Sequence, residues 1–487
     1  MSEEKQEQEE EKKENKQIII TEECYNKYKE TNYGINDFYI LFKDLQNKDP
    51  LIKFKRLVGM RKLCQEELKK EKSKKIFNVL INYLLDFIKN YPEEYQYESL
   101  ILLKNIEKIN LKEDEKLKIK KDCELIDIAF SVIKGAKDLK IKTLTLSSYF
   151  SYANLLINDD IILKKMISKQ IINYIINAIK DFMNEPIILK CCLKICTSIL
   201  NNKESENWES ELLNLLEDDD KKPEDIIKLL PNIISQYANE IKILKYCLII
   251  IEEFTHNGNS ENLNKIMQLN IMEKIIQLID NEDGDIIHWS LRIIGNFAMN
   301  NDSIYTQHII DLNALDALKK TLKKEYDEKN KNIRKESSFT ISNIAAGTQE
   351  QLIKLYENNF YDILTEIIQN ENENQIKKNC LWAIYNFSCI KNQEYLEKLV
   401  EKGFMKIIVN RFNYDQGEVL ACSLEALGNI LELEKKVRDP AKVNIIEKEI
   451  NNLDLLNAIK NLNKNNNEDL CQQKTNYLLN TYFIKTM

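Results

Sequence analysis

The chain has 487 residues, 43% of them apolar, with 70 Lys and Arg against 78 Asp and Glu and a net charge of −8. Only 10 Gly and 6 Pro exclude an all-β chain built on tight turns, and charges of both signs are interspersed, which excludes the clustered basic stripe of a nucleic-acid binder. No run approaches the roughly 18 apolar residues of a membrane helix, and the 11 Cys, several inside apolar runs (Cys191, Cys192, Cys196, Cys247, Cys422), read as reduced thiols of a soluble cytosolic or nuclear protein.

Residues 1–33 are rich in Glu and Lys and poor in apolar side chains, the composition of a disordered segment. Residues 34–487 form a second region in which apolar positions recur at helical spacing. Helices are expected over Leu51 to Gln65 and Ile76 to Ile88, with Tyr91-Pro92-Glu93-Glu94 as a break after them. A loop is expected from Asn201 to Glu224, around Glu217-Asp-Asp-Asp220, and a helix from Lys245 to Phe254. Further on, Ala314 to Leu322 and Phe360 to Ile368 read as apolar helices joined by short connections.

Asn343, Asn386 and Asn429 recur at an interval of 43 residues, each one helical turn after Phe339, Trp382 or Glu425. Upstream the same place falls at Asn105, Asn154, Thr197 and Asn296, with intervals of 49 and 43 before Thr197 and 47 after Asn296. The 99 residues from Thr197 to Asn296 leave room for one more unit, in which Glu252 or Glu253 takes the Asn place. This period predicts an all-α, right-handed armadillo-repeat solenoid of about ten helical repeats, in which each unit buries its apolar face only against its neighbours. An Asn side chain offers one acceptor and two donors. Repeated once per unit, it makes a ladder suited to the backbone of an extended peptide.

Arg292-Ile-Ile-Gly-Asn296, Glu336-Ser-Ser-Phe339-Thr-Ile-Ser-Asn343 and Trp382-Ala-Ile-Tyr-Asn386 resemble three consecutive repeats of the importin-α family. Gly34-Ile-Asn36 with Met60-Arg61-Lys62-Leu63 resembles its first repeat. Lys222-Pro223-Glu224-Asp225 with Leu230-Pro231 resembles the proline-bearing loop of its fourth, and Asn457-Ala-Ile-Lys-Asn461 through Tyr482-Phe483 resembles its last. The resemblance implies a concave groove lined by the third helix of each repeat. There Asn amides bond the backbone of an extended Lys/Arg-rich localisation signal, Trp faces flank its basic stems and acidic residues receive the charged heads.

Carried over by position, the implied peptide-binding residues are Arg292, Asn296, Glu336, Phe339, Asn343, Trp382 and Asn386, with Phe339 replacing a Trp and Asn379 standing where an acid is common. A weaker set falls at Glu98, Asn105, Phe150 and Asn154. In that half Ile101–Asn105, Phe150–Asn154 and Leu193–Thr197 stand for the family's three Trp–Asn pairs. The family's dense basic segment for importin-β has no counterpart in residues 1–33, which contain no Arg.

The expected function is that of an adaptor holding basic extended peptides for nuclear import, located in cytoplasm and nucleus. The alternative is a non-transport armadillo scaffold within a ciliary or cytoskeletal assembly. Proteins are the expected partners, with no nucleic acid and no membrane. An enzyme is not expected, because the chain has no Gly-rich phosphate loop, His-Glu-x-x-His helix or nucleophile elbow. His256, His288 and His308 lack metal-ligand spacing, so neither a metal nor a cofactor is implied.

Overall fold

The computed structural model of the protein describes residues 38–66, 74–107, 145, 171–200, 224–256, 259–325, 327–412, 416–437, 445–465 and 469–483. Among these residues every regular element is a helix. The fold is an all-α armadillo-repeat solenoid. It divides into two compact units, residues 1–250 and 251–487, with the division inside the helix Ile241–Thr255. The boundary expected between residues 33 and 34 lies outside the described residues.

The first unit holds α1 (Phe38–Lys43), α2 (Pro50–Glu66), α3 (Lys74–Asn90), α4 (Glu93–Glu107), α5 (Ile171–Asp181), α6 (Pro186–Leu200) and α7 (Glu224–Gln236), and α8 (Ile241–Thr255) runs across the division. Both α2 and α3 pack on α4. Their seam is aromatic: Phe54, Phe87, Tyr91 and Tyr95 meet with ring centroids 4.9–5.5 Å apart. Tilted and edge-on contacts of this kind add to the burial of the rings themselves. Pro231 corrects an expectation. It lies inside α7 rather than in a loop, and the expected loop from Asn201 falls almost wholly outside the described residues.

The second unit is a run of helix triplets. They are α9 (Ser260–Gln268), α10 (Met272–Gln277) and α11 (Gly284–Ala298), then α12 (Ser303–Asp311), α13 (Ala314–Leu322) and α14 (Lys331–Ala345). Next come α15 (Gln349–Glu357), α16 (Phe360–Asn370) and α17 (Asn374–Asn386), followed by α18 (Gln393–Glu401), α19 (Phe404–Arg411) and α20 (Gly417–Val437). The last triplet is α21 (Ile445–Asn452), α22 (Leu455–Asn465) and α23 (Asp469–Leu478).

Two local signals punctuate the triplets. The first helices α9, α12, α15 and α18 open on Asn259, Asp302, Thr348 and Asn392, whose side chains accept from backbone N–H groups of the first turn. Each first helix then turns into the second through one residue of positive φ: Asn270 (50°), Asn313 (64°), Asn359 (62°), Gly403 (83°) and Asp454 (46°). The backbone N–H at each of these sites donates to the carbonyl three residues back, on Met267, Ile310, Tyr356, Val400 and Asn451. Only Gly, Asn and Asp enter this region at low cost, so the chain carries a second, purely structural ladder of short polar residues.

One buried ion pair ties two triplets together. Arg334 near the start of α14 donates through Nε to Glu371, just beyond α16, at 2.8 Å, and both side chains are almost fully covered. The Arg334 guanidinium also donates to the carbonyls of Glu325 and Asp327. Those carbonyls belong to the connection 323–330, which is longer than the 371–373 connection of the next triplet. The longer connection, offset in part by an α13 shorter than α16, lies within the interval of 47 rather than 43 residues before Asn343. Burial alone would raise the Glu371 carboxyl. The Arg334 bond and the N–H groups of Asn372 and Glu373 outweigh burial and hold it below the usual carboxylate range.

Removing one partner of a buried pair leaves an uncompensated charge, so Glu371→Ala is expected to lower unfolding free energy by about 3–5 kcal/mol in denaturant titrations. The lowered carboxyl stabilises the fold above the ordinary carboxylate range, and that contribution disappears as pH falls through the lowered value. Glu371→Gln should therefore flatten the acid limb of the stability profile. At the triplet turn, Asn313→Val is expected to cost about 1–2 kcal/mol and Asn313→Gly close to nothing, read from thermal or denaturant midpoints.

Candidate functional site

The third helices pack in sequence, α11 on α14, α14 on α17, and α17 on α20. The first pair approaches closely at Gly295, where an added Cβ would lie 3.1 Å from Thr340 Oγ1. Burial of the apolar sides fixes this seam, with Leu291, Ile294, Ile341, Ile344, Leu381 and Ile384 all buried. The polar residues beside it are then held at set offsets from the preceding helix.

Three amides use that offset in the same way. Asn296 Nδ2 donates to Thr255 Oγ1 (3.0 Å) and to the Glu252 carbonyl (3.3 Å). Asn379 Nδ2 donates to Ser338 Oγ (3.1 Å), and Asn429 Nδ2 to Ser388 Oγ (3.0 Å). Each hydroxyl donates its own proton to a carbonyl of the turn before it: Thr255 to Ile251 and Glu252, Ser338 to Lys335, Ser388 to Tyr385. A lone pair is left for the amide of the following repeat. Every donor lies 41 residues beyond its acceptor. Ser388 stands two places after Asn386, so Thr255 stands two places after the equivalent site in α8. The register left open at the sequence level is thereby settled, and Glu253 occupies the Asn place.

Asn343 and Asn386 behave differently. Both are half-buried, and neither side chain makes a hydrogen bond within the described residues. The Asn343 Nδ2 atom is covered and has no acceptor. The positions that would supply one, two places after the preceding Asn, are Ala298 and Ala345, which have no hydroxyl. One turn before these two amides lie Phe339 and Trp382, both half-buried.

The charged residues form a graded set. Arg292 donates to one carboxylate oxygen of the fully buried Glu252 through Nε (2.9 Å) and Nη2 (2.6 Å), while its guanidinium lies 5.5 Å from the Trp289 ring centroid. The other Glu252 oxygen has no partner, and His256 Nδ1 lies 3.7 Å from the bonded one. Among the described residues Glu336 makes no side-chain hydrogen bond or ion pair. Burial raises its carboxyl above the ordinary range, against the pull of Arg292 and Lys335. An acid in that condition gains from a cation placed beside it.

Of the seven expected residues, Glu336, Phe339, Asn343, Trp382 and Asn386 lie along α14 and α17, and the side chains of Glu336, Asn343 and Asn386 make no hydrogen bond among the described residues. Arg292 and Asn296 sit on α11 with their donors already engaged inside the protein. Asn379 is buried between Ser338 and Gln375, whose side-chain amide donates to it at 3.1 Å. In the first unit, Glu98 corrects its expected role. It is fully buried and its carboxylate accepts from Arg61, so it cannot receive a charge from outside. Thr197 is also buried, its hydroxyl donating to the Lys194 carbonyl. The Asn105 side chain, and Phe150 and Asn154 entirely, lie outside the described residues. From the sequence, Trp289, one turn before Arg292, reads equally as a groove residue or as packing; the hydroxyls of Thr255, Ser338 and Ser388 were missed. For Thr255 and Ser388 the signal was a Ser or Thr two places after a site on the polar ladder; Ser338 lies off that pattern.

Among the described residues no group of His, Cys, Asp and Glu could hold a metal ion, and no helix is long and apolar enough to cross a membrane.

No family model matches the chain. It is 37% identical over 86 residues to importin subunit alpha-7 of Arabidopsis thaliana, covering 18% of this chain and 16% of that protein. It is 27% identical over 235 residues to importin subunit alpha-3 of the same plant, covering 48% and 43%. The matched segments thus span less than half the length of these curated relatives. Among solved structures, an engineered protein from a structural genomics consortium superposes over 92% of this chain and 98% of its own, with TM-score 0.69 and 15% identity. That likeness concerns the fold.

Proposed function

We propose that this chain is an importin-α-like adaptor that holds extended, basic segments of other proteins against α14 and α17 for import into the nucleus. The observation that carries the reading is the pair of half-buried amides, Asn343 and Asn386, without hydrogen-bond partners among the described residues and each one turn after an aromatic residue. A main-chain carbonyl and N–H brought to an Asn amide satisfy it as a neighbouring strand would. Phe339 and Trp382 offer faces to the stems and heads of Lys or Arg. Glu336, held above its ordinary range by burial, supplies the negative charge. Arg292 and Asn296 bound the site on the α11 side. The partial identity with importin-α proteins supports this reading over other uses of a repeat fold. Residues 34–487 would act as one repeat array and residues 1–33 as a separate segment, with cytoplasm and nucleus as the locations.

A second reading, a scaffold fixed in a ciliary or cytoskeletal assembly, draws on Glu98. Its engagement by Arg61 removes an acid from the first half of the array, where a transport adaptor would want its stronger site.

A labelled Lys/Arg-rich peptide titrated against the full chain should bind at micromolar or tighter affinity and weaken with salt. Asn343→Ala with Asn386→Ala should weaken it roughly 5- to 100-fold, as two lost hydrogen bonds require. Absence of binding, together with a stable stoichiometric partner in pull-downs, would favour the scaffold.

A bound cation lowers the Glu336 carboxyl, so binding releases a proton and affinity rises with pH from mildly acidic to neutral buffer. Glu336→Gln should remove that rise. An unchanged pH profile in the variant would show that Glu336 does not meet the peptide's charge.

A further inference from the structure

We infer that the residue two places after each ladder position decides whether the amide of the next repeat binds a neighbour or a ligand, so that Ala298 and Ala345 set the length and place of the peptide site. This rests on the peptide-binding reading of α14 and α17 and narrows it. Where the deciding residue is Thr255 or Ser388, its hydroxyl accepts the next amide at 3.0 Å, and Asn296 and Asn429 are engaged. Where it is Ala298 or Ala345, both buried with no side-chain acceptor to offer, Asn343 and Asn386 make no side-chain hydrogen bond among the described residues, the Asn343 Nδ2 being covered. The pair Ser338 and Asn379 shows the same hydroxyl and offset at another level of the helix, so the geometry belongs to the seam and not to one site.

Two adjacent open amides flanked by two engaged ones make a short site. Neighbouring helices pack about 8–10 Å apart, and an extended chain rises about 3.3 Å per residue. The two amides therefore fix the main chain over about three residues, and side chains beyond that stretch meet amides already in use. The ligand class is a brief extended basic segment, held by its backbone at two points.

Ala345 and Ser388 are positioning residues, and a labelled Lys/Arg-rich hexapeptide titrated against the full chain tests them. Asn386→Ala and Ala345→Ser should each weaken binding by about 2- to 10-fold. Together they should cost no more than Asn386→Ala alone, because both remove the same amide. Wild type that fails to bind overturns the peptide-binding reading and this inference with it. Wild type that binds, loses affinity on Asn386→Ala and keeps it in a folded Ala345→Ser overturns this inference alone. Ala345 is buried, so Ser388→Ala provides a second route that removes atoms instead of adding them. With a nonapeptide, Asn429→Ala should be silent in the wild-type background and weaken binding in the Ser388→Ala background. Silence in both backgrounds overturns the inference.

Discussion

The seam between successive third helices is the constraint on which the rest of this structure depends. A triplet cannot cover its own apolar side, so α11, α14, α17 and α20 must each meet the next. Once Gly295 and its buried neighbours set how closely they approach, the offset between facing residues is no longer adjustable. A polar side chain on the margin of the seam meets whatever the preceding helix places there. With a hydroxyl it becomes cement, as at Asn296 and Asn429. With a methyl group it keeps its hydrogen-bonding capacity for something outside.

Cohesion and recognition are therefore alternative uses of one geometry, separated by a single atom on the helix before. The same economy governs the charges. Arg292 could have faced outward, yet Glu252 lies buried behind it and draws it in, as Glu98 is held by Arg61 and Glu371 by Arg334. A buried carboxylate without a cation is among the most expensive arrangements a fold can contain. Glu336, partly covered and not paired, is the acid whose chemistry stays open among these four.

Much of this was legible beforehand. The intervals between Asn343, Asn386 and Asn429 predicted the helical repeat, and the place of Phe339 and Trp382 one turn earlier predicted aromatic rings beside the amides. What stayed hidden involves partners roughly 40 residues apart. Whether Asn296 is open depends on Thr255, and whether Glu98 is open depends on Arg61, a dependence that no local pattern displays. The turn residues Asn270, Asn313 and Asn359 were hidden for the opposite reason. In a chain so rich in Asn, a residue required by backbone conformation looks like one more loop residue until its φ is known. Glu253 gained its place only because the Thr255 bond supplied a fixed point in a stretch with two adjacent glutamates.

Between Glu253 and Asn429 the long connection at 323–330 makes the array a ruler with one irregular division. Arg334 grips that connection through the Glu325 and Asp327 carbonyls while holding Glu371 in the next triplet. The repeats around it are consequently not interchangeable parts. Excising or duplicating a unit of 43 residues between Asn343 and Asn429 keeps the intervals in phase, whereas the same edit through this division separates a buried cation from the groups that neutralise it. Growth and shrinkage of such an array by whole units would thus be permitted at some joints and barred at this one, which gives the open amides of α14 and α17 a fixed address along the chain.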